Sequence, residues 1–436
     1  MIRKEKFGGI IYNEDSGKVY SVDDFTFRAI ELKNEHKSDS VVLKILEQEF
    51  SVQPDEKQYY QLQELLAKNF TPESLKTQRN SCITDDEKIS FGEDMGSHFV
   101  APIIIFWILT NKCNLRCMHC VQDSGIEYDG DLSTVECMSI IDQFNEMGVC
   151  ELSFSGGEPL SVFDKLIDIG SYSRNLGFKL SVATNAVLAN TKRAKMLFEA
   201  GFGYAQVSIE GSQHLHDKIR GKGAFEAAKK GIANLSKEGL SIMLATTISD
   251  ANKEDLNIVI DLAKNLGVRG VRFVRFLPMG RGLDNLDMFS ISRDDELRIA
   301  EKLWKLKWQN INDLVITFNK HYASYGMKVA PEISGLDEFD WKWDCPAGRM
   351  RATIMPSGEI TTCPLIGSLG LSGGNVRTHN FRDLWLSSDF FQKFREEKED
   401  CIGCKEWRIC KGGCKAWSYV GSGRIGSRDP LCFLNL

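Results

Sequence analysis

From Ile103 to Arg275, short apolar runs alternate with amphipathic stretches of helical period, and this alternation narrows the possible folds more than any other feature. The apolar runs are Ile103 to Leu109, Glu151 to Phe154, Lys179 to Ala183, Tyr204 to Ile209, Ser241 to Ile248 and Gly270 to Arg275. Helical patterns at 133–147 and 162–175 separate the first three. Strands that alternate with helices form parallel βα units, so the expected class is α/β. About six strands fall short of the roughly eight of a closed barrel, which predicts a partial (β/α)6 TIM-like barrel over residues 101–335.

The flanks read differently. Phe7 to Tyr12 and Lys18 to Val22 alternate around a turn at Asn13 to Gly17, as a β-hairpin does. Asp23 and Asp24 can cap a helix through Leu32, and apolar-periodic stretches follow at 40–50 and 54–70. A hairpin with three helices predicts a winged-helix module over residues 1–75. A polar stretch with Thr71-Pro72, Asn80-Ser81 and Asp85-Asp86 follows, and a linker is placed at 76–100. Residues 336–436 turn to glycines, short turns and cysteines, a composition that usually needs metal to fold. At 436 residues and 42% hydrophobic content, the chain has room for two or three domains.

A net charge of −6 argues against a nucleic-acid partner, because phosphate contact needs an excess of clustered Lys and Arg. Met1-Ile2-Arg3-Lys4-Glu5-Lys6 lacks the apolar run of a signal peptide, and nothing approaches the roughly 18 apolar residues of a membrane helix. The expectation is a cytoplasmic protein with no membrane partner. In a reducing compartment its 13 cysteines serve metals or catalysis rather than disulfides.

Cys113, Cys117 and Cys120 directly follow the first core strand, at the end of a barrel where function resides. Three such thiolates can hold three irons of a cubane and leave the fourth iron open to a substrate. Zinc is the competing ligand, but structural zinc sites close with four donors and only His119 is locally available as the fourth. Further along, Glu151 to Pro159 is a strand entering a Ser155-Gly156-Gly157-Glu158 turn. A turn of small residues lets backbone groups approach closely, although an ordinary βα turn with Pro159 opening a helix would use the same residues. Thr184-Asn185 and Ser208 end the next two strands, Arg220 follows, and Phe276 to Gly282 trails the sixth.

The three-cysteine spacing and the order of these segments resemble the radical S-adenosylmethionine superfamily. That resemblance implies a [4Fe-4S] cluster on Cys113, Cys117 and Cys120, with His119 at the position of the family's aromatic ring. It also implies S-adenosylmethionine contacts from His119, Ser155, Gly156, Gly157, Glu158, Thr184, Asn185, Ser208, Arg220 and Leu277. Ala186 departs from a frequent glycine and Glu210 from a common aspartate.

Cys345, Cys363, Cys401, Cys404, Cys410, Cys414 and Cys432 resemble the seven-cysteine pattern of the SPASM domain. The resemblance implies two auxiliary [4Fe-4S] clusters, three in all. Cys345, Cys363 and Cys414 would hold the inner one, with its fourth ligand missing, and Cys401, Cys404, Cys410 and Cys432 the outer one. Paired cysteines also build zinc ribbons, the alternative here. Cys137 and Cys150 read as buried structural thiols, and Cys82 as an inert thiol in the linker.

Residues 7–70 resemble the recognition element of ribosomal peptide pathways, in which a leader peptide adds a strand beside the hairpin. Together these resemblances imply a peptide maturase making an oxidative cross-link, either carbon–carbon of the Lys-to-Trp kind or a cysteine thioether. Its partners would be a precursor peptide and an electron donor such as flavodoxin or ferredoxin. Cys410 to Cys414 and Asp429-Pro430-Leu431-Cys432 also resemble radical enzymes of heme biosynthesis, so tetrapyrrole modification is an alternative. A scaffold that keeps the clusters for electron transfer or peptide binding is another. No general base is singled out by the sequence.

Overall fold

The computed structural model describes residues 1–5, 8–12, 19–35, 38–50, 59–60, 63–64, 66–67, 98–125, 130–319, 322, 345–396, 398–405, 407–410 and 412–432. They form two compact units, Met1–Ile103 with Ser139–Cys150, and Ile104–Met138 with Glu151–Leu436.

The first unit carries the expected hairpin as strands β2 (Gly8–Tyr12) and β3 (Val19–Val22), and adds a strand, β1 (Ile2–Glu5), antiparallel to β2. Helix α1 (Asp24–Glu35) begins where the Asp23 carboxylate accepts from the Thr26 N–H at 2.7 Å, and α2 (Asp39–Phe50) follows. Phe27 and Ile30 of α1 pack with Ile2 and Ile11 of the sheet. A Cβ on Gly9 would lie 2.0 Å from the Phe27 ring, so only glycine lets α1 seat this closely. The hairpin turn, Phe7, most of the third helix and nearly all of the linker lie outside the described residues.

β1 escaped the sequence reading because its central residues are charged. Arg3 is 1% exposed, and its guanidinium donates to Glu5 Oε1 at 2.8 Å and to the carbonyls of Ala101, Pro102 and Gly148 at 2.9, 3.1 and 2.9 Å. The other Glu5 oxygen accepts from Val100 N at 2.9 Å. Sequence periodicity counts both residues as polar, whereas here they pay for each other's burial.

In the second unit nine strands lie in the order β10-β9-β8-β7-β6-β5-β4-β11-β12. The six expected strands are β4 (Ile104–Ile108), β5 (Glu151–Ser155), β6 (Lys179–Thr184), β7 (Phe202–Ser208), β8 (Ser241–Ile248) and β9 (Gly270–Arg275), paired in parallel in chain order. Helices α3 (Thr134–Glu146), α4 (Phe163–Asn175), α5 (Thr191–Glu199), α6 (Gln213–Arg220), α7 (Ala224–Lys237) and α8 (Leu256–Asn265) lie between them in sequence. Buried Trp107, Phe154, Val182, Val207, Leu244 and Phe273 alternate with residues of the opposite face, and Trp107 stacks on Phe154 at 6.1 Å.

Beyond the expected six, β10 (Val315–Phe318) extends the sheet beside β9. At the other edge β11 (Arg351–Ile354) pairs in parallel with β4, and β12 (Ile360–Thr361) folds back on it. The cysteine-rich region thus continues the barrel sheet. It also buries more apolar surface than its composition predicts. Trp385, Phe381 and Phe391, from α9 (Phe381–Ser387) and α10 (Asp389–Arg395), are fully buried. Ala416 of α11 (Lys415–Ser422) joins Leu277, Met279, Ala347, Ile366 and Phe394 in one cluster.

Replacing Arg3 with alanine leaves the Glu5 carboxylate buried without its cation, which costs about 3–5 kcal/mol. The expected outcome for Arg3→Ala is loss of hydrogen-exchange protection across residues 99–103, with protection of β5 to β9 retained.

Candidate active site

The loop from Lys112 to Ser124 has no regular secondary structure, and the tips of neighbouring strands fix its shape. Gly157 N donates to Thr110 O at 2.7 Å and Glu158 N to Lys112 O at 2.8 Å. A Cβ on Gly157 would sit 2.4 Å from Lys112 O, and one on Gly156 2.7 Å from Thr110 O. The glycine pair therefore admits the backbone of the cysteine loop. On the opposite side Arg281 donates through Nε to Cys117 O at 2.9 Å, and through its terminal nitrogen to Ser124 O at 2.7 Å. Arg281 N reaches Cys120 O at 3.1 Å, and Gly280, at φ +51, could not carry a Cβ beside that same carbonyl. Asn285 donates to Met118 O at 3.2 Å, and Met118 N to Ile219 O at 3.0 Å.

Behind the loop lies a buried charge network. Glu210 is fully buried, and its Oε1 accepts from Arg220 Nε at 2.9 Å and bonds His119 Nε2 at 3.0 Å, while Oε2 accepts from Thr247 N at 3.0 Å. Burial favours the protonated acid, but Arg220 and His119 outweigh it and hold the Glu210 carboxyl well below the ordinary carboxylate range. Arg220 also points a terminal nitrogen at Cys117 Sγ, 3.7 Å away. His216 Nδ1 accepts the Glu210 N–H at 3.2 Å, and burial, with Arg220, pushes its pKa down to about 4, so it is neutral. Glu210 stands where the family often has aspartate, and its longer side chain lets one carboxylate engage both His119 and Arg220.

Glu158 is equally buried. Its Oε1 accepts from Leu160 N at 3.0 Å and Thr184 Oγ1 at 2.6 Å, and its Oε2 from Asn185 N at 2.7 Å. Asn185 donates onward to Asn114 in the cysteine loop at 2.9 Å. These contacts tie the ends of β5 and β6 to the loop. Ala186, the second departure, sits at φ +60, a conformation costly for any residue but glycine. The Thr184 hydroxyl accepts the Ala186 N–H at 2.9 Å and helps to hold it there. Ser155 and Ser208 end β5 and β7 as expected, and Leu277, 2% exposed, packs in the apolar cluster with Met279 and Ala347.

All twelve described cysteines are free. Burial raises the Cys113 thiol to about 11, with Glu158, Cys117 and Cys120 adding to the rise, so Cys113 is neutral until metal binds. Cys345, Cys363 and Cys414 pack around one apolar cluster, and Cys345 and Cys414 add to a burial-driven rise of Cys363 to about 12. Cys401, Cys404, Cys410 and Cys432 interact likewise. The structure thus brings together each of the three expected thiol sets. Among the described residues no three metal-binding side chains converge as tightly as around a single ion. The buried His119 Nδ1, without a partner among the described residues, fits a ligand beside that loop. Cys137 and Cys150 are buried away from the sets, as expected, and Cys82 lies outside the described residues.

Several positioning residues were not legible. Arg281, Asn285, Asn114 and Asn252 are single polar residues far along the chain from what they hold; Asn252, for example, donates to Glu210 O at 2.9 Å. Asp429 accepts from the backbone N–H of Cys414 at 2.8 Å, and its carbonyl accepts from that of Cys432 at 2.8 Å, so it spans the two auxiliary thiol sets. Only its place three residues before Cys432 could have drawn attention to it.

Residues 107–282 match the model of the radical SAM superfamily, and residues 345–414 that of SPASM, an iron-sulfur cluster-binding domain. Among curated relatives, an AdoMet-dependent heme synthase of Oleidesulfovibrio alaskensis is 31% identical over 76% of this chain and 86% of its own. The mycofactocin maturase MftC of Mycolicibacterium smegmatis is 30% identical over 76% of this chain and 83% of its own. The crystal structure of Streptococcus suis SuiB bound to S-adenosylmethionine superposes with a TM-score of 0.75 at 18% identity, over 99% of this chain and 98% of that one. The chain belongs to the radical SAM superfamily. Within it, residues 345–414 set it among the members with a SPASM iron-sulfur domain.

His216 supplies a pH test. Its folded pKa of about 4 lies below the unfolded value of 6.5, so unfolding takes up a proton at any pH in that window. Stability therefore falls as pH drops from 6.5 towards 4, by about 2 kcal/mol at pH 5 from this group. Denaturant titrations at pH 7 and pH 5 are expected to differ by that much less in His216→Asn than in the parent.

Proposed function

We propose that this chain modifies a ribosomally synthesised precursor peptide by an oxidative intramolecular cross-link, either carbon–carbon or a cysteine thioether. The observation that supports this reading best is the extent of the fold likeness to SuiB, which covers 99% of this chain and so takes in the amino-terminal module. SuiB has also been solved bound to the precursor peptide SuiA, with a TM-score of 0.72 to this chain. β1 to β3 end in an edge strand, β3, that a leader peptide could extend. Leader binding would then raise the effective concentration of the core peptide at the barrel mouth.

Cys113, Cys117 and Cys120 would hold the radical-generating cluster, which with S-adenosylmethionine supplies one-electron cleavage of the sulfonium and hydrogen abstraction from an unactivated position. The Glu210–Arg220 pair and the Gly156-Gly157 contact keep the loop in shape for that ligand, and His119 Nδ1 offers it a hydrogen-bonding atom. Cys345, Cys363 and Cys414 would hold the inner auxiliary cluster, and Cys401, Cys404, Cys410 and Cys432 the outer. The inner set is one ligand short, a position open to water, a carboxylate or a substrate thiol. A cross-link removes two hydrogens from the substrate. One leaves by abstraction, and the other leaves as a proton with an electron for which the inner set offers an acceptor. Flavodoxin or ferredoxin would supply the priming electron in the cytoplasm. No helix among the described residues is long and apolar enough to cross a membrane.

The 31% identity to a heme synthase favours a second reading, tetrapyrrole modification. Anaerobic incubation with S-adenosylmethionine, reductant and the precursor peptide encoded beside the gene separates the two. The expected product is a peptide lighter by two hydrogens, and Cys117→Ala is expected to abolish both it and 5′-deoxyadenosine. Deleting residues 1–75 is expected to abolish peptide binding. Porphyrin turnover that survives the deletion, with an unmodified peptide, would refute the maturase reading.

A further inference from the structure

Lys398 is 1% exposed and stands just ahead of the outer thiol set. Its carbonyl accepts from Cys401 N at 2.8 Å. Its side chain runs to the far end of the same block, where Nζ donates to Gly412 O and Ser418 Oγ, both at 2.5 Å, and to Cys414 O at 3.4 Å. Gly412 lies between Cys410 and Cys414, and a Cβ there would sit 3.0 Å from Lys398 Cδ, so the glycine leaves room for the lysine stem. One buried lysine thus reaches from an outer cysteine to the segment that joins the outer set to the inner.

The three partners fix its protonation. Carbonyl oxygens only accept, and the Ser418 hydroxyl gives its own proton to Cys414 O at 3.0 Å, so all three sites face Nζ as acceptors. A nitrogen with three donors and no lone pair is an ammonium. Among the described residues no carboxylate pairs with it. Asp429, the buried acid of this region, accepts from Cys414 N and Leu431 N and lies 3.8 Å from Arg275, while Glu399 and Asp400 pair with Arg424 at 3.4 and 3.2 Å. A buried ammonium among neutral partners is costly unless an anion stands near. The Cys401 thiol is where this cation is felt: burial raises its pKa, and Lys398 is foremost among the groups that oppose the rise.

A [4Fe-4S] cubane held by four thiolates is an anion, and reduction makes it more negative, so a fixed cation beside it favours the reduced form. We propose that the Lys398 ammonium is the counter-charge of the outer auxiliary cluster and raises its reduction potential, which makes that cluster a readier acceptor of one electron. The electron comes from a reduced neighbouring cluster in the working protein and from dithionite in the test, and no bond or proton moves with it. This inference rests on the assignment of Cys401, Cys404, Cys410 and Cys432 to a cluster and adds to it the residue that tunes it.

The test uses the full-length, cluster-loaded protein without peptide and reads reduction potentials by EPR during titration with dithionite. The first cluster is the signal that S-adenosylmethionine alters, because its open iron can take a ligand, and the auxiliary signals are those it leaves unchanged. In Lys398→Met and Lys398→Gln an auxiliary signal is expected to be about tenfold less reduced at a given potential, a fall of about 59 mV for a one-electron couple. Lys398→Arg keeps the charge and is expected to restore most of the difference, with the first cluster unmoved in all three variants. Lys398→Gln keeps N–H donors for the same acceptors, so a lysine with a structural role alone would leave its auxiliary potentials where they are in the parent. That result, or a fall as large in Lys398→Arg as in Lys398→Met, would overturn the proposal. If the neutral variants do not retain auxiliary iron, retention by Lys398→Arg supports it and equal loss overturns it. A parent protein that carries only the first cluster would overturn the cluster assignment as well. Because no peptide enters the measurement, failure here is distinguishable from failure of the 1–75 deletion test.

Discussion

The cysteine loop after β4 depends on a close backbone approach that only the Gly156-Gly157 pair permits. The loop makes no ladder of its own, so its carbonyls must find donors elsewhere. Gly157 N and Glu158 N supply two from the tip of β5, and Arg281 supplies three more from beyond β9. These donors come from opposite sides of the loop. Once the backbone is held from both, the three thiols have little freedom left, and a cluster would bind a site that is already shaped. Such preorganisation matters most for a cluster with an open iron, because one side of the cubane receives no protein ligand to steady it.

Buried charge is the second constraint, and it marks the limit of what the sequence discloses. The strand–helix alternation and the two-strand hairpin were legible because periodicity is a local property, whereas the grouping of the carboxy-terminal cysteines came from a family resemblance. β1 was not, since Arg3 and Glu5 make it look like surface until Pro102 and Gly148 are known to lie beside it. Glu210 was noticed only as a departure from a family preference, whereas here it is the acceptor that neutralises Arg220 and orients His119. Partners 10 and 91 residues away in the chain leave no pattern in a window of local sequence. Leu277 shows the converse. A loop resemblance marked it for the cofactor, and its side chain is placed in an apolar cluster that also includes Cys345, Cys363 and Cys414.

The carboxy-terminal region illustrates how composition misleads when a segment borrows structure. Read alone, residues 336–436 offer little to bury. In the fold, β11 takes its hydrogen bonds from β4, and Arg275 of β9 stacks on Trp417 at 3.5 Å while donating to Glu296 at 2.8 Å. Asp429, 3.8 Å from the same Arg275, organises the N–H groups of Cys414 and Leu431. The auxiliary cysteines are thus tied to the last barrel strand through one buried arginine, by contacts that exist only once the barrel has formed.

This shared sheet also fixes where the carboxy-terminal cysteines stand relative to the loop after β4. An appended domain with no strand in the sheet would leave the separation between the first thiol set and the inner one to chance. With β11 registered residue by residue on β4, from Arg351 opposite Ile104 to Ile354 opposite Trp107, the cysteines that flank the β11–β12 hairpin are held to the same sheet as that loop. If the chain makes the cross-link proposed above, hydrogen abstraction and electron removal would then need no domain motion between the two thiol sets.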